Sequence, residues 1–409
     1  MKNISALLLG EKRHASVHSK SNRITLAFTY FFYFGQLGIF VPYIGLFLDD
    51  RGYDSNQIGI LLACVALSRI LGPSLWANIA DKTGKVGEVL RLGCLLAFLV
   101  FLAIYLVFDF WLLTLTFCLM MMFWTAVLPQ LEVITVKATS KAKGGYGKLR
   151  LWGSIGFIVC SLIIGKAIDF YGAQFILLAS SCTLFALYLC SLLVVAPEHK
   201  KEHESHNMGE WKKALSLVFV LFLLGNLLLQ VSFGSYYNFF SLYMQDLGYS
   251  GFETGIFIAL GVLSEVFIFI YAGRLLKRFN VMLLLALSIL LTGIRWLALA
   301  FFAHELWVIV LSQIIHAFSF GLTHVASVYF LTHFFPASFQ SRAQALYISI
   351  SFGIGSALGS YIAGRMWLQG LGSQESFVFS AIMAFVGGLL MFVIKDRGNI
   401  KAPDIEQRT

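Results

Sequence analysis

The stretch LFLDDRGY at positions 46–53 returns, with substitutions, as LYMQDLGY at 242–249. Both copies end in a Gly-Tyr pair, and the pairs lie 196 positions apart (248 − 52). At the same offset Gly59 meets Gly255, Leu67-Ser68 meets Leu263-Ser264, Arg69 meets Glu265 and Asp81 meets Lys277. No gap is needed between 46 and 81. A half-length duplication inside an apolar chain is the mark of a transporter built from two related bundles. It also puts an Arg and a Glu at equivalent depths of the two halves.

Composition sets the solvent. Apolar residues make up 58% of the 409 and charged residues 12%, against roughly 45–50% and 25% in soluble domains. A window of about 19 residues finds spans near 24–48, 57–80, 89–108, 111–136, 149–168, 173–196, 214–243, 253–275, 281–302, 306–333, 341–366 and 375–395. Each can cross a ~30 Å hydrocarbon layer at about 1.5 Å per residue. The expected fold is all-α: twelve transmembrane helices in two pseudo-symmetric six-helix bundles. Its parts are an N-terminal tail (1–20), a first bundle (21–196), a linker (197–213), a second bundle (214–395) and a C-terminal tail (396–409).

Cations fix the orientation. They gather in Lys2–Arg23, in Lys82, Lys85 and Arg91, in Lys137–Arg150, in Lys200–Lys213, in Arg274–Arg278 and in the C-terminal tail. The alternate loops hold Asp49, Asp50, Asp54, Asp109, Asp169, Asp246, Glu253, Glu305 and Glu375, with few cations. The positive-inside rule then places both termini and the linker in the cytoplasm. The net charge of +9 reads as a topology signal that also favours anionic lipid headgroups. It is spread over many short loops, which argues against nucleic acid. Ala6-Leu7-Leu8-Leu9 is too short for the apolar core of a signal peptide.

Other features read as packing. The six cysteines lie inside spans without metal-type spacing. His199, His203 and His206 of the linker are set at helical spacing for a metal, but a solvated linker explains them as well. Gly353, Gly355, Gly359 and Gly364, with Ser356, Ala357 and Ser360, let helices approach closely. Pro42, Pro73 and Pro129 interrupt spans of the first half and can kink them, whereas Pro336 stands at a helix end.

The segment from Asn78 through Asp81, Lys82 and Gly84 to Lys85 resembles the loop signature of the major facilitator superfamily, without its first Gly. The second copy keeps Gly273 and has Lys277 in place of the Asp. Residues 248–255, followed by Glu265, and Gln313 through His316 to His324 resemble spans eight and ten of the phenylpropionate permeases. Residues 145–154, with Arg150, resemble both that branch and the lactose permeases. The resemblance implies a proton-coupled secondary transporter, with an aromatic carboxylate such as 3-phenylpropionate as solute. One departure matters. Lactose permeases carry a carboxylate one turn after the span-ten His, and here that position is Ser319.

Ionisable residues inside a span cost about 2.5–3.5 kcal/mol on insertion scales and usually face a cavity or a partner. Glu265 is the first candidate for proton coupling, because a carboxylate in an apolar pocket can be neutral at one stage and charged at another. His316 can titrate near neutrality and joins it, with Glu132 as a third candidate. Solute-binding candidates are Arg295, Arg150, His324, Arg69, Tyr236, Tyr237 and Asn238. Arg295 or Arg69 could instead be a standing counter-ion for Glu265, and Arg150 a side chain reaching to the interface. Asp81, Lys82, Gly84 and Lys85 are expected to form a conformational latch. His324 follows His316 by eight positions, about 80° around an α-helix.

The reading is alternating-access uptake of a small organic solute with protons, by a monomer in a bacterial inner membrane. A sugar or nucleoside symporter is the second reading, and a non-transporting sensor the third. No nucleophile, metal or phosphate-loop motif points to an enzyme or an ATP-driven pump, and neither a cofactor nor a metal is expected.

Overall fold

The computed structural model describes residues 2–140, 145–196 and 211–395. The three linker histidines, the C-terminal tail and the side chain of Asp81 lie outside the described part. Among the described residues, twelve helices are long and apolar enough to cross a membrane. They are α1 (Ser21–Asp50), α2 (Ser55–Ala80), α3 (Val86–Tyr105), α4 (Phe110–Thr139), α5 (Gly145–Tyr171), α6 (Phe175–Leu193), α7 (Leu217–Asp246), α8 (Gly251–Arg278), α9 (Val281–Phe302), α10 (Leu306–Phe334), α11 (Ala337–Gly370) and α12 (Ser373–Val393). There is no strand among the described residues. A spanning chain must satisfy its backbone internally, and helices do so within one segment. The helical backbone of α1 runs back to Lys2, so the expected N-terminal tail continues the first helix.

The repeat is also a repeat of local structure. Gly52 and Gly248 both take a left-handed backbone (φ +85° and +87°). Tyr53 N donates to Leu48 O at 3.1 Å, and Tyr249 N to Met244 O at 2.9 Å. These bonds close α1 and α7 with the same glycine-based stop. The next helices open alike. Asp54 and Gln57 exchange side-chain-to-backbone hydrogen bonds of 2.8 and 3.0 Å, and Ser250 and Glu253 form a capping box.

Contacts divide the chain into two compact units that do not follow the sequence halves. One comprises Met1–Phe40, Leu71–Cys160 and Phe175–Glu202; the other comprises Val41–Ile70, Ser161–Gln174 and His203–Thr409. In the first, α3 packs on α4 and α6, and Trp76, Ala80, Val89 and Ala126 form a core cluster. In the second, α12 lies against α9 and α7. The adjoining ends of α1 and α2 and the end of α5 join this second unit through small residues. Gly59 meets the backbone of Ser360 and Gly364, and Gly165 meets Gly251. The expected close-packing role of the α11 glycines is visible here, since Gly355 and Gly359 also abut α7.

Proline breaks one helix visibly. α4 pauses at Ala126 between Thr125 and Val127, next to the carbonyl four residues before Pro129, where the ring removes a donor and crowds the turn. Helices α1 and α2 continue through Pro42 and Pro73. The second half breaks its helices by other means: a pause at Phe233 in α7 and widened π-turns at Ala317–Leu322 and Ile348–Gly355.

Candidate functional site

Three buried ionisable side chains meet in the second unit. Arg295 of α9 is fully buried, and its Nη1 lies 2.9 Å from Nδ1 of His316. The other ring nitrogen, Nε2, lies 2.9 Å from Oε1 of Glu265 on α8. A guanidinium only donates, so Nδ1 must accept. The ring proton therefore sits on Nε2 and is donated to the carboxylate. His316 is a neutral bridge between a cation and an anion, and it stands between Glu265 and Arg295, one of the two arginines considered as its counter-ion. Arg295 Nε and Nη2 make no hydrogen bond.

Aromatic rings hold the arginine. Its Cζ lies 4.5 Å from the centre of the Tyr236 ring and 4.3 Å from that of Trp296, and a desolvated guanidinium is stabilised over such faces. The Tyr236 hydroxyl donates to Gln313 Oε1 at 2.6 Å, which fixes the ring. Tyr237 stacks on Phe233 (5.0 Å, 18°). The pause at Phe233 starts a new helical segment, and the Tyr236-Tyr237 pair stands in its first turn. Asn238 is buried, its Nδ2 without a hydrogen bond. Arg69 of α2 is exposed along its helix, within electrostatic reach of Tyr237.

The π-turn after His316 corrects the 80° separation expected for His324. A turn closed from i to i+5 takes up one extra residue, so the eight-residue step rotates like seven, about 20° from alignment. The rings form a ladder: His316 on Phe320 (5.9 Å, 9°) and Phe320 on His324 (6.2 Å, 7°).

The remaining candidates lie in the first unit. Arg150 and Glu132 are 4.0 Å apart, Tyr146 donates to Glu132 at 3.2 Å, and the Arg150 guanidinium sits 3.9 Å from the Phe34 ring centre. Both charged side chains keep about a third or more of their surface exposed (34% and 39%), so this pair contributes little to stability. In the signature loop Gly84 adopts φ +70°. Lys82 is exposed, and Lys85 pairs with Glu88 in the next helix at 3.0 Å. Gln313, Trp296 and Phe320 entered no sequence-based site. Gln313 was legible as a polar residue one turn before His316; nothing in the sequence distinguished Trp296 from lipid-facing aromatics.

The family model described as "MFS_1 like family" matches residues 23–379. The chain belongs to that family. The probable 3-phenylpropionic acid transporter of Escherichia coli K12 is 28% identical over 359 residues, which is 87% of this chain and 94% of that protein. The maltose permease of Geobacillus stearothermophilus is 27% identical over 382 residues (90% and 93%). Among solved structures, the nucleoside transporter NupG superposes with a TM-score of 0.80 at 16% identity, covering 92% of this chain and 99% of that one. The fold is that of transporters of this superfamily, and the chain is a multi-pass integral membrane transporter, not an enzyme.

Proposed function

We propose that the chain takes up a small aromatic carboxylate, such as 3-phenylpropionate, together with a proton. The observation that carries this reading is the Arg295–His316–Glu265 chain. With Glu265 ionised, the buried cation and anion balance through a neutral imidazole. A proton arriving on Glu265 removes the anion and leaves Arg295 uncompensated in an apolar bundle, a costly state. A solute carboxylate restores the balance, and the free Nε and Nη2 are matched to its two oxygens. Proton and anion therefore favour each other's binding, as a symporter requires. Tyr236 and Tyr237 add faces for a flat ring. The similarity to the probable 3-phenylpropionic acid transporter supports the solute class.

The Glu132–Arg150 pair and the likeness to a maltose permease and a nucleoside transporter favour the second reading, a sugar or nucleoside symporter. The loop charges support cytoplasmic termini, and the likeness to a transporter of Escherichia coli supports a bacterial inner membrane. The test is proton movement in proteoliposomes on adding 3-phenylpropionate, a galactoside or a nucleoside, with protein-free liposomes as control. Proton influx with the acid alone, absent in Glu265→Gln, is expected. Influx with only a neutral solute would transfer the assignment to the second reading.

A further inference from the structure

The first unit contains a polar site that the Arg295 cluster does not explain. Gln36 of α1 is 2% exposed, yet neither its Nε2 nor its Oε1 makes a hydrogen bond. Trp124 of α4 is 3% exposed, and its indole Nε1 is likewise unpartnered. A buried carboxamide with both ends unsatisfied is costly, and more so where hydrocarbon surrounds the bundle. Such groups persist where something they bind repeats the hydrogen bonds they lack.

The two residues share a neighbourhood. Tyr33 stacks flat on Trp124 (4.4 Å, 5°), and Phe40 meets Phe117 of α4, so this stripe of α1 faces α4. At about 100° per residue, Gln36 lies about 60° from Tyr33 and about 40° from Phe40, beside that stripe. The opposite side of α1 is closed against α5, where Gly38 and Gly156 meet the Phe157 and Phe31 backbones. Gln36 therefore stands next to the stacked pair and away from the helix that seals α1.

We propose that Gln36, the indole N–H of Trp124 and the Tyr33–Trp124 stack form a recognition site for an uncharged, hydroxyl-bearing ring edge of the transported solute. A carboxamide offers a donor and an acceptor, the pair a hydroxyl needs, and the indole supplies a second donor. A bare phenyl edge would leave all three atoms desolvated and unpaired. Sites built to bond a hydroxyl discriminate strongly against the analogue that lacks it. The site therefore favours a ring-hydroxylated ligand over its bare-ring analogue.

The test is calorimetric binding to the purified full-length protein of 3-phenylpropionate, 3-(3-hydroxyphenyl)propionate and uridine, for wild type, Gln36→Leu and Trp124→Phe. The second variant keeps an aromatic ring beside Tyr33 while removing the indole donor, so it reports even where the first is poorly folded. The expected result is at least about tenfold tighter binding of the hydroxylated acid, with the preference reduced in Trp124→Phe and abolished in Gln36→Leu. Equal binding of the two acids, or a preference unchanged in both variants, would overturn the site and leave the carboxylate reading intact. Binding of uridine alone, weakened in both variants, would support the site and overturn the carboxylate reading. An equal loss for every ligand would overturn the site by assigning Gln36 and Trp124 a purely structural role, and silence from all three with folded wild-type protein would also overturn the proposal.

Discussion

Arg295 shows how a single side chain can be held charged inside an apolar bundle. Two aromatic faces and one imidazole nitrogen stand in for water, and they suit a planar, delocalised cation. An ammonium would keep the charge but lose the stacking plane and the fixed fork. Arg295→Lys is therefore expected to lose about 1.5–3 kcal/mol of hydrogen bonding to charged groups and to bind the solute at least about tenfold more weakly. Binding isotherms on folded protein check this, and an unchanged affinity would remove Arg295 from the site. His316→Gln separates two roles of the imidazole. A carboxamide can still accept from Arg295 and donate to Glu265, but it cannot take up and release a proton. Retained solute binding with lost proton movement would mean that His316 passes the proton. Retention of both would mean that it only bridges.

At the scale of elements, the outer turns repeat a device as well as a sequence. Asp169, at the end of α5, accepts from Gly251 N at 2.6 Å and from Phe252 N at 3.1 Å, so it satisfies the first donors of α8. At the equivalent start of α2, the Ser55 hydroxyl accepts from Gln369 N of α11 at 2.9 Å, where Gln369 has φ +53°. Both bonds tie a helix start to the end of another helix. An anionic acceptor at a helix N-terminus is worth about 1 kcal/mol. Asp169→Asn should therefore shift the balance between the made and broken forms of these outer contacts by about fivefold. The double variant Ser55→Cys with Gln369→Cys, on a background without the native cysteines, reports that balance through its rate of disulfide cross-linking. Adding Asp169→Asn should slow the cross-linking. An unchanged rate would make Asp169 a local cap and nothing more. The spans themselves were legible because hydrocarbon imposes one rule on every residue within them. The π-turn in α10 was not, since Ala317–Leu322 carries no proline or other break signal. Nor was the Arg295–His316 contact, whose partners are 21 positions apart on separate helices.

Charge conservation extends the site to the whole transporter. The repeat placed Glu265 opposite Arg69, and that much could be read from position alone; which cation Glu265 answers to required the three-dimensional packing of α8, α9 and α10. In the proposed cycle, one proton on Glu265 accompanies one carboxylate on Arg295. The loaded carrier then has the same net charge as the empty one, and neither crossing moves charge through the membrane field. Each unit charge moved would otherwise couple to about 2.3 kcal/mol per 100 mV. Uptake of a monoanionic acid into proteoliposomes should therefore follow an imposed pH gradient, acid outside. It should be insensitive to a potassium–valinomycin potential of either sign. Glu265→Gln, with the carboxamide permanently neutral, should still exchange solute for solute across the membrane while losing accumulation against a gradient. If a potential alone drives uptake, more than one proton travels with each anion, and a second titrating group must share the task with Glu265. His324, carried by the π-turn onto the ladder below His316, would then be the group to replace first.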